Sequence, residues 1–147
     1  MAVSVQDSDF DSGAEIAALS AGDEDAGAVA SFVGLVRGGE VLAMTLEHYP
    51  GMTEKALQEI VDQANQRWQI RRARVIHRVG PLAPGDQIVF VGVSSRHRGD
   101  AFAACEFIMD YLKTRAPFWK KEETSTGGRW VDARESDETA ARRWSGS

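Results

Sequence analysis

The run FIMDYLKTRAPFWKKE, residues 107–122, constrains the fold more than any other stretch of the chain. Its first half has the pattern of an amphipathic helix, and Pro117 stops it. The ring of a proline pushes the preceding residue out of the α region, so Ala116 leaves the helix and the last turn closes near Arg115. The chain then restarts as a short apolar-then-basic segment. Lys113 falls in the last helical turn and Lys120 beyond the break, so two ammonium groups can reach one pocket from two different elements. Cations in a last turn also complement the helix macrodipole, and the charges alone do not define a site.

The rest of the chain is read around that helix. Residues 99–115 carry Phe102, Cys105, Met109 and Leu112 at steps of three and four, widened by Ala101, Ala104 and Ile108, which predicts an inward stripe. Cys105 belongs to that face, where a thiol behaves as a small hydrophobe. A second long helix is expected from Thr53, which can cap it, to about Trp68, with Leu57, Ile60, Val61 and Ala64 inward. A short helix capped by Asp11 or Ser12 runs through Ala21, with Ile16 and Leu19 on its inner side.

Residues 28–36, AVASFVGLV, read as a buried strand, and 41–48 as its hairpin partner across Gly38-Gly39. Residues 74–79 and 87–95 are the next strand pair, separated by the turn-rich GPLAPGD. A short RWV strand follows the TSTGG turn. His77 has no metal-type ligand near it in sequence and reads as a strand histidine. Residues 1–9 are either an edge strand or a frayed end. The charged tail after Val131 is either solvated or a partner-docking segment, and residues 145–147 are expected to fray. The order β-α-β-β-α-β-β-α-β-β sets helices among antiparallel hairpins, which indicates a single α+β domain with two long helices.

Composition narrows the partners. The 147 residues are 43% hydrophobic and 27% charged, as in an ordinary globular protein, and a net charge of −5 argues against nucleic acid or acidic membranes. No apolar run approaches the roughly 20 residues of a membrane span, no leader-like segment opens the chain, and one cysteine makes no internal disulfide. A cytoplasmic location is the expectation. The basic groups nevertheless concentrate at Arg96, His97, Arg98, Lys113, Arg115, Lys120 and Lys121, which suits a small anionic ligand. GxGxxG, GxxxxGK[ST] and GxSxG signatures are missing.

The junction SSRHRGD lies where a strand ends and a helix begins, so free backbone N–H groups can point at an anion. Arg96 and Arg98 stand there although a helix N-terminus disfavours cations, which favours an anion site over a solvated end. His97 can donate a hydrogen bond or move a proton near neutral pH. A pocket shared with Lys113 and Lys120 would hold one imidazole, several cations and no evident nucleophile. Its chemistry would be acid–base and electrostatic.

Taken together, TLEHYPGMTEKAL, VIHRVGPLAPGD, SRHR and FIMDYLKTRAPFWKKE closely resemble the large, catalytic subunit of molybdopterin synthase, in collinear order over roughly residues 27–144. The resemblance implies an α/β-hammerhead-type α+β fold, a central homodimer, and a small ubiquitin-like sulfur-carrier subunit at each end of a heterotetramer. It implies that the carrier's C-terminal Gly-Gly thiocarboxylate delivers two sulfurs to cyclic pyranopterin monophosphate, giving molybdopterin, without a metal or other cofactor in this step. Carried over by position, substrate-binding residues fall on Leu35, Val36, Arg37, His97, Arg98, Lys113, Lys120, Lys121, Glu122 and Arg134, with Lys113 and Lys120 catalytic. Arg134 is expected to act across the dimer. The loop after Arg37 is several residues shorter than is common in the family, which bears on the reach of Arg37. A buried Cys105 fits sulfur arriving from outside the chain. The alternative is a non-catalytic adaptor that binds a ubiquitin-like partner or small anion through the same basic pocket.

Overall fold

The computed structural model describes residues 2–131 and 135–145. In chain order the elements are β1 (Val3–Gln6), α1 (Ser12–Ala18), β2 (Ala28–Leu35), β3 (Val41–His48), α2 (Met52–Arg67), β4 (Arg72–Arg78), β5 (Gly80–Leu82), β6 (Gln87–Ser95), α3 (Arg98–Arg115), β7 (Phe118–Thr124), β8 (Gly127–Val131) and α4 (Glu135–Arg142). They build two four-stranded sheets, ordered β1-β4-β6-β2 and β5-β3-β7-β8. Most pairings are antiparallel; β1 joins β4 in parallel. The α+β organisation and both long helices are as the sequence indicates.

β6 is an apolar run because both of its faces are covered. On one face Val89, Val91 and Val93 meet Leu57, Ile60, Val61 and Ala64 of α2, and Ala104, Phe107 and Ile108 of α3. On the other, Phe90 packs with Leu19 and Ile76. Gly92 is required there, since a Cβ at that position would stand 2.5 Å from the Leu19 side chain. The N-terminal segment is held by this layer rather than frayed: Val3 is buried, and β1 pairs through Val3–Val75 to Gln6–Arg78. Asp11 caps α1, its carboxylate accepting from Ala14 N–H at 3.1 Å.

Several local expectations are corrected. Residues 28–36 and 41–48 do not form a hairpin: β2 pairs with β6, and β3 pairs with β5 and β7 in the other sheet. After Leu35, the backbone of Val36 is occupied by Asp86 and Gly85, which carries the chain across to the second sheet. Nor is β2 buried. It is an edge strand, and Val29, Phe32 and Leu35 stay exposed. GPLAPGD holds the short strand β5, reached by a positive φ at Gly80, as well as a turn.

The helices also differ in detail. Ile16 is exposed, and Phe102 is 66% exposed, outside the stripe assigned to it, while Phe107 is fully buried. The cause is α4. The charged tail folds back on α3, and Trp144 packs edge-on against Trp68 and Phe107, which turns the Phe107 side of α3 into core. Asp110 accepts from the Trp144 indole N–H at 2.7 Å, and Arg143 pairs with Asp110 and Glu106.

Thr53 has a different task from the one expected. Gly51 occupies the N-cap of α2, and Glu54 accepts from its N–H at 3.2 Å. Thr53 is fully buried; its Oγ1 accepts from Tyr49 N–H and donates to Pro117 O, each at 3.0 Å. It therefore ties the start of α2 to the proline that ends α3. Replacing Thr53 by Val keeps the volume but strands a buried N–H and a carbonyl, and we expect a loss of about 1–3 kcal/mol. Urea unfolding of the variant measures it.

Candidate functional site

The proline break forms as the sequence dictates. α3 ends at Arg115, Ala116 adopts an extended conformation, and Phe118 opens β7. Lys113 is exposed in the last turn of α3 and Lys120 is half-buried in β7. Side chains alternate along a strand, so Phe118, Lys120 and Glu122 share one face of β7. Their register partners on β3 are His48, Leu46 and Met44. Leu46 and Met44 are buried with Val36 and Leu82 in a small core of the second sheet. Lys120 is thereby set beside the Val36 core, and Arg37 is the exposed residue that follows Val36.

Lys121 projects from the opposite face. Its ammonium lies 6.0 Å from the Trp130 ring centroid and 3.7 Å from Glu123. Glu122, on the Lys120 face, has the Arg129 guanidinium at 3.5 Å. Val36 has both its side chain and its backbone committed to the fold, whereas Leu35 is exposed at the end of β2. Arg134 lies outside the described residues.

The strand–helix junction is found where the sequence placed it, with His97 at the N-cap of α3 and Arg98 opening the helix. His97, Arg98 and Gly99 are exposed. Arg96 is drawn to Asp25 at 3.6 Å and lines an open cleft of about 420 Å³ with Asn65, Trp68, Gln69, Ile70 and Arg71. Arg71 in turn is held by Asp23 at 2.9 Å.

One expectation fails within a single chain. His97 and Lys113 stand at opposite ends of α3, and sixteen residues of helix separate them by about 24 Å along the axis. The reason is topological. β6 runs toward the junction and α3 returns beside it, with Cys105 Sγ at 3.8 Å from Val91 O in mid-course. β2 runs antiparallel to β6, so Ala28 sits opposite Ser95 at the His97 end and Leu35 sits opposite Gln87 at the Lys113 end. The chain therefore has one end that carries Arg37, Lys113 and Lys120 and a separate end that carries His97 and Arg98.

The sequence treated His77 only as a strand histidine, and the structure adds its setting. Its ring is 5% exposed and stacks on Phe118, with centroids 3.8 Å apart and planes at 19°. Burial holds its pKa down at about 4; Lys113 and His48 add to the depression, against the backbone contact to Arg78. Cys105 is buried, and burial pushes its thiol up to about 11. It is a poor sulfur nucleophile at neutral pH.

The described residues define an α+β chain with exposed cationic groups at both ends of α3 and a buried thiol, features that suit an anionic ligand more than thiol chemistry. Comparison narrows the reading. The family model described as MoaE protein matches residues 5–115. The molybdopterin synthase catalytic subunit of Ralstonia nicotianae is 66% identical over 97% of this chain and 83% of its own length. That of Escherichia coli K12 is 63% identical over 92% of each. The solved MoaE protein of Burkholderia ambifaria superposes with a TM-score of 0.85 at 57% identity, covering 99% of this chain and 98% of that one. Molybdopterin synthase from Staphylococcus aureus superposes at 0.79 with 33% identity, over 86% and 94%. The chain belongs to the MoaE family.

Proposed function

We propose that this chain is the catalytic, sulfur-transferring subunit of a molybdopterin synthase in molybdenum cofactor biosynthesis. The reading is supported by Lys113 and Lys120 flanking the Pro117 break, at the end of the fold where Arg37 follows β2, in a chain whose own thiol is buried. Sulfur arrives as the C-terminal thiocarboxylate of a small ubiquitin-like carrier. In each of two transfers to cyclic pyranopterin monophosphate the carrier's acyl C–S bond breaks, water taking the acyl carbon as carboxylate, and a substrate C–S bond forms as a C–O bond at that substrate carbon breaks and its oxygen leaves. Lys113 orients the tail or moves a proton, and Lys120 stabilises the negative charge that develops. No helix among the described residues is long and apolar enough to cross a membrane.

The same reading includes a homodimer. The free edge of β2 carries Val29 and Phe32, and α3 beside it exposes Phe102, an apolar edge of the kind proteins cover. A two-fold axis near the middle of β2 exchanges its ends. It sets His97 and Arg98 of the partner subunit beside Arg37, Lys113 and Lys120, where they hold the phosphate and pterin of the substrate. Glu122 and Leu35 belong to the rim of the same proposed site; Lys121, on the other face of β7, is the weakest member.

The test is to mix the chain with thiocarboxylated carrier and cyclic pyranopterin monophosphate and look for dithiolene product by mass spectrometry. Binding without turnover would favour the adaptor reading. A composite site adds a sharper expectation. His97→Ala and Lys120→Ala homodimers should each be inactive, and equal mixing with subunit exchange should restore about a quarter of the activity, from one intact site in each mixed dimer. No recovery after demonstrated exchange would refute the composite site.

A further inference from the structure

We propose that His77 is a positioning residue for this reaction: its imidazole, stacked on Phe118, pins the Lys120 strand against the Lys113 end of α3. The inference rests on the reading that Lys113 and Lys120 work the site, and extends it to a residue that touches neither substrate nor carrier.

His77 lies on β4 in the first sheet, and Phe118 opens β7 in the second, so the stack is a contact between sheets. Phe118 precedes Lys120 by two residues and shares its face of the strand. Between Lys113 and Lys120 the chain leaves a helix, passes Pro117 and enters a strand. The ladders to β3 and β8 set which face of β7 carries Lys120, and two side-chain contacts add to them: Thr53 donates to Pro117 O, and His77 lies on the Phe118 ring. The first holds the backbone at the break; the second holds the Phe118 ring on the face that carries Lys120.

The ring itself is held. Its Nδ1 is 2.9 Å from Arg78 O. A carbonyl only accepts, so Nδ1 carries the hydrogen and Nε2 is bare in the neutral ring. A proton on Nε2 would be opposed first by burial and then by Lys113 from α3 and His48 from β3, against the backbone contact to Arg78. The imidazole therefore stays neutral at working pH and stays stacked. An aliphatic residue would fill the space without fixing the plane of the Phe118 ring. Misplacing a reacting group by about 1 Å can cost on the order of 100-fold in rate, which is the scale at stake in loosening β7.

The experiment compares His77→Ala, His77→Phe and His77→Gln in the complete reaction at pH 8, with folding checked by circular dichroism and carrier affinity measured separately. His77→Ala and His77→Gln should lose about 10- to 100-fold in kcat with KM for the carrier nearly unchanged, and His77→Phe, which keeps an aromatic face, should recover most of it. Adding Phe118→Ala to His77→Ala should cost little more, because both remove one stack. If His77→Ala does not fold, Phe against Gln decides. Equal rates in those two, or losses that multiply with Phe118→Ala, would overturn the inference. A wild-type chain that forms no product overturns the functional reading and this inference with it; an active wild type with an equally active His77→Ala overturns the inference alone.

Discussion

Replacing Lys113 or Lys120 by alanine should reduce dithiolene formation by about 100-fold or more, the scale seen when one preorganised electrostatic donor is removed from a reacting centre. Assembly with the carrier should survive. Lys113 is exposed at the last turn of α3, and Lys120 lies on a strand whose position is set by Leu46, Phe118 and the β7–β8 pairing rather than by its own charge. Product is measured by mass spectrometry and assembly by gel filtration of the mixed subunits. Arginine variants divide the roles further. Guanidinium keeps the charge but does not give up its proton, so Lys→Arg should restore activity at a purely electrostatic position and fail at a proton-transfer position. Near-wild-type turnover in both alanine variants would sink the assignment.

The second large effect is on stability in mild acid. His77 titrates near 4 in the folded chain and near 6.5 when unfolded. A depressed pKa means that the unfolded chain takes up a proton the native chain refuses. The associated stability is fully present above about pH 6.5 and is lost as pH falls toward 4, a total of about 3 kcal/mol at about 1.4 kcal/mol per unit. The carboxylates held low, Asp9 by Gln87 and Asp23 by Arg71, act at lower pH, because their stabilisation is lost only as pH falls below about 4. The two windows separate. Urea unfolding at pH 7.5, 5.5 and 4.5, at one fixed protomer concentration, should show the upper slope in the wild type and its removal in His77→Gln. An unchanged slope in that variant would rule out His77 as its source.

Much of the local structure is legible in the residues. Pro117 ends α3 after Arg115 because the pre-proline restriction needs no tertiary partner. Leu57, Ile60, Val61 and Ala64 face inward on α2 at the helical period. The strand–helix junction at SSRHRGD falls where the sequence placed it, with His97 at the N-cap position of α3 after the strand QIVFVGVSS stops. Motif resemblance was specific enough to reach the family as well.

What failed depended on contacts distant in sequence. AVASFVGLV reads as a buried strand but forms an edge strand with Val29, Phe32 and Leu35 exposed, because apolarity alone does not say which residues the sheet will cover. The glycine pair after it reads as a hairpin turn, yet the backbone of Val36 is claimed by Gly85 and Asp86, nearly fifty residues away. Phe102, expected inside, is exposed, and Phe107 is buried where the chain beyond α4 returns to cover one flank of α3.

The opening stretch shows the division most clearly. The sequence by itself determined that Lys113 and Lys120 stand on either side of a helix end, since proline stereochemistry acts on neighbours alone. Tertiary structure decided how Lys120 is aimed, through the register of β7 on β3 and the His77–Phe118 stack. It also decided that His97 and Arg98 stand a helix length away from both lysines. Periodicity reports which side of a helix a residue occupies; only the return of the chain beside β6 determines which end meets which.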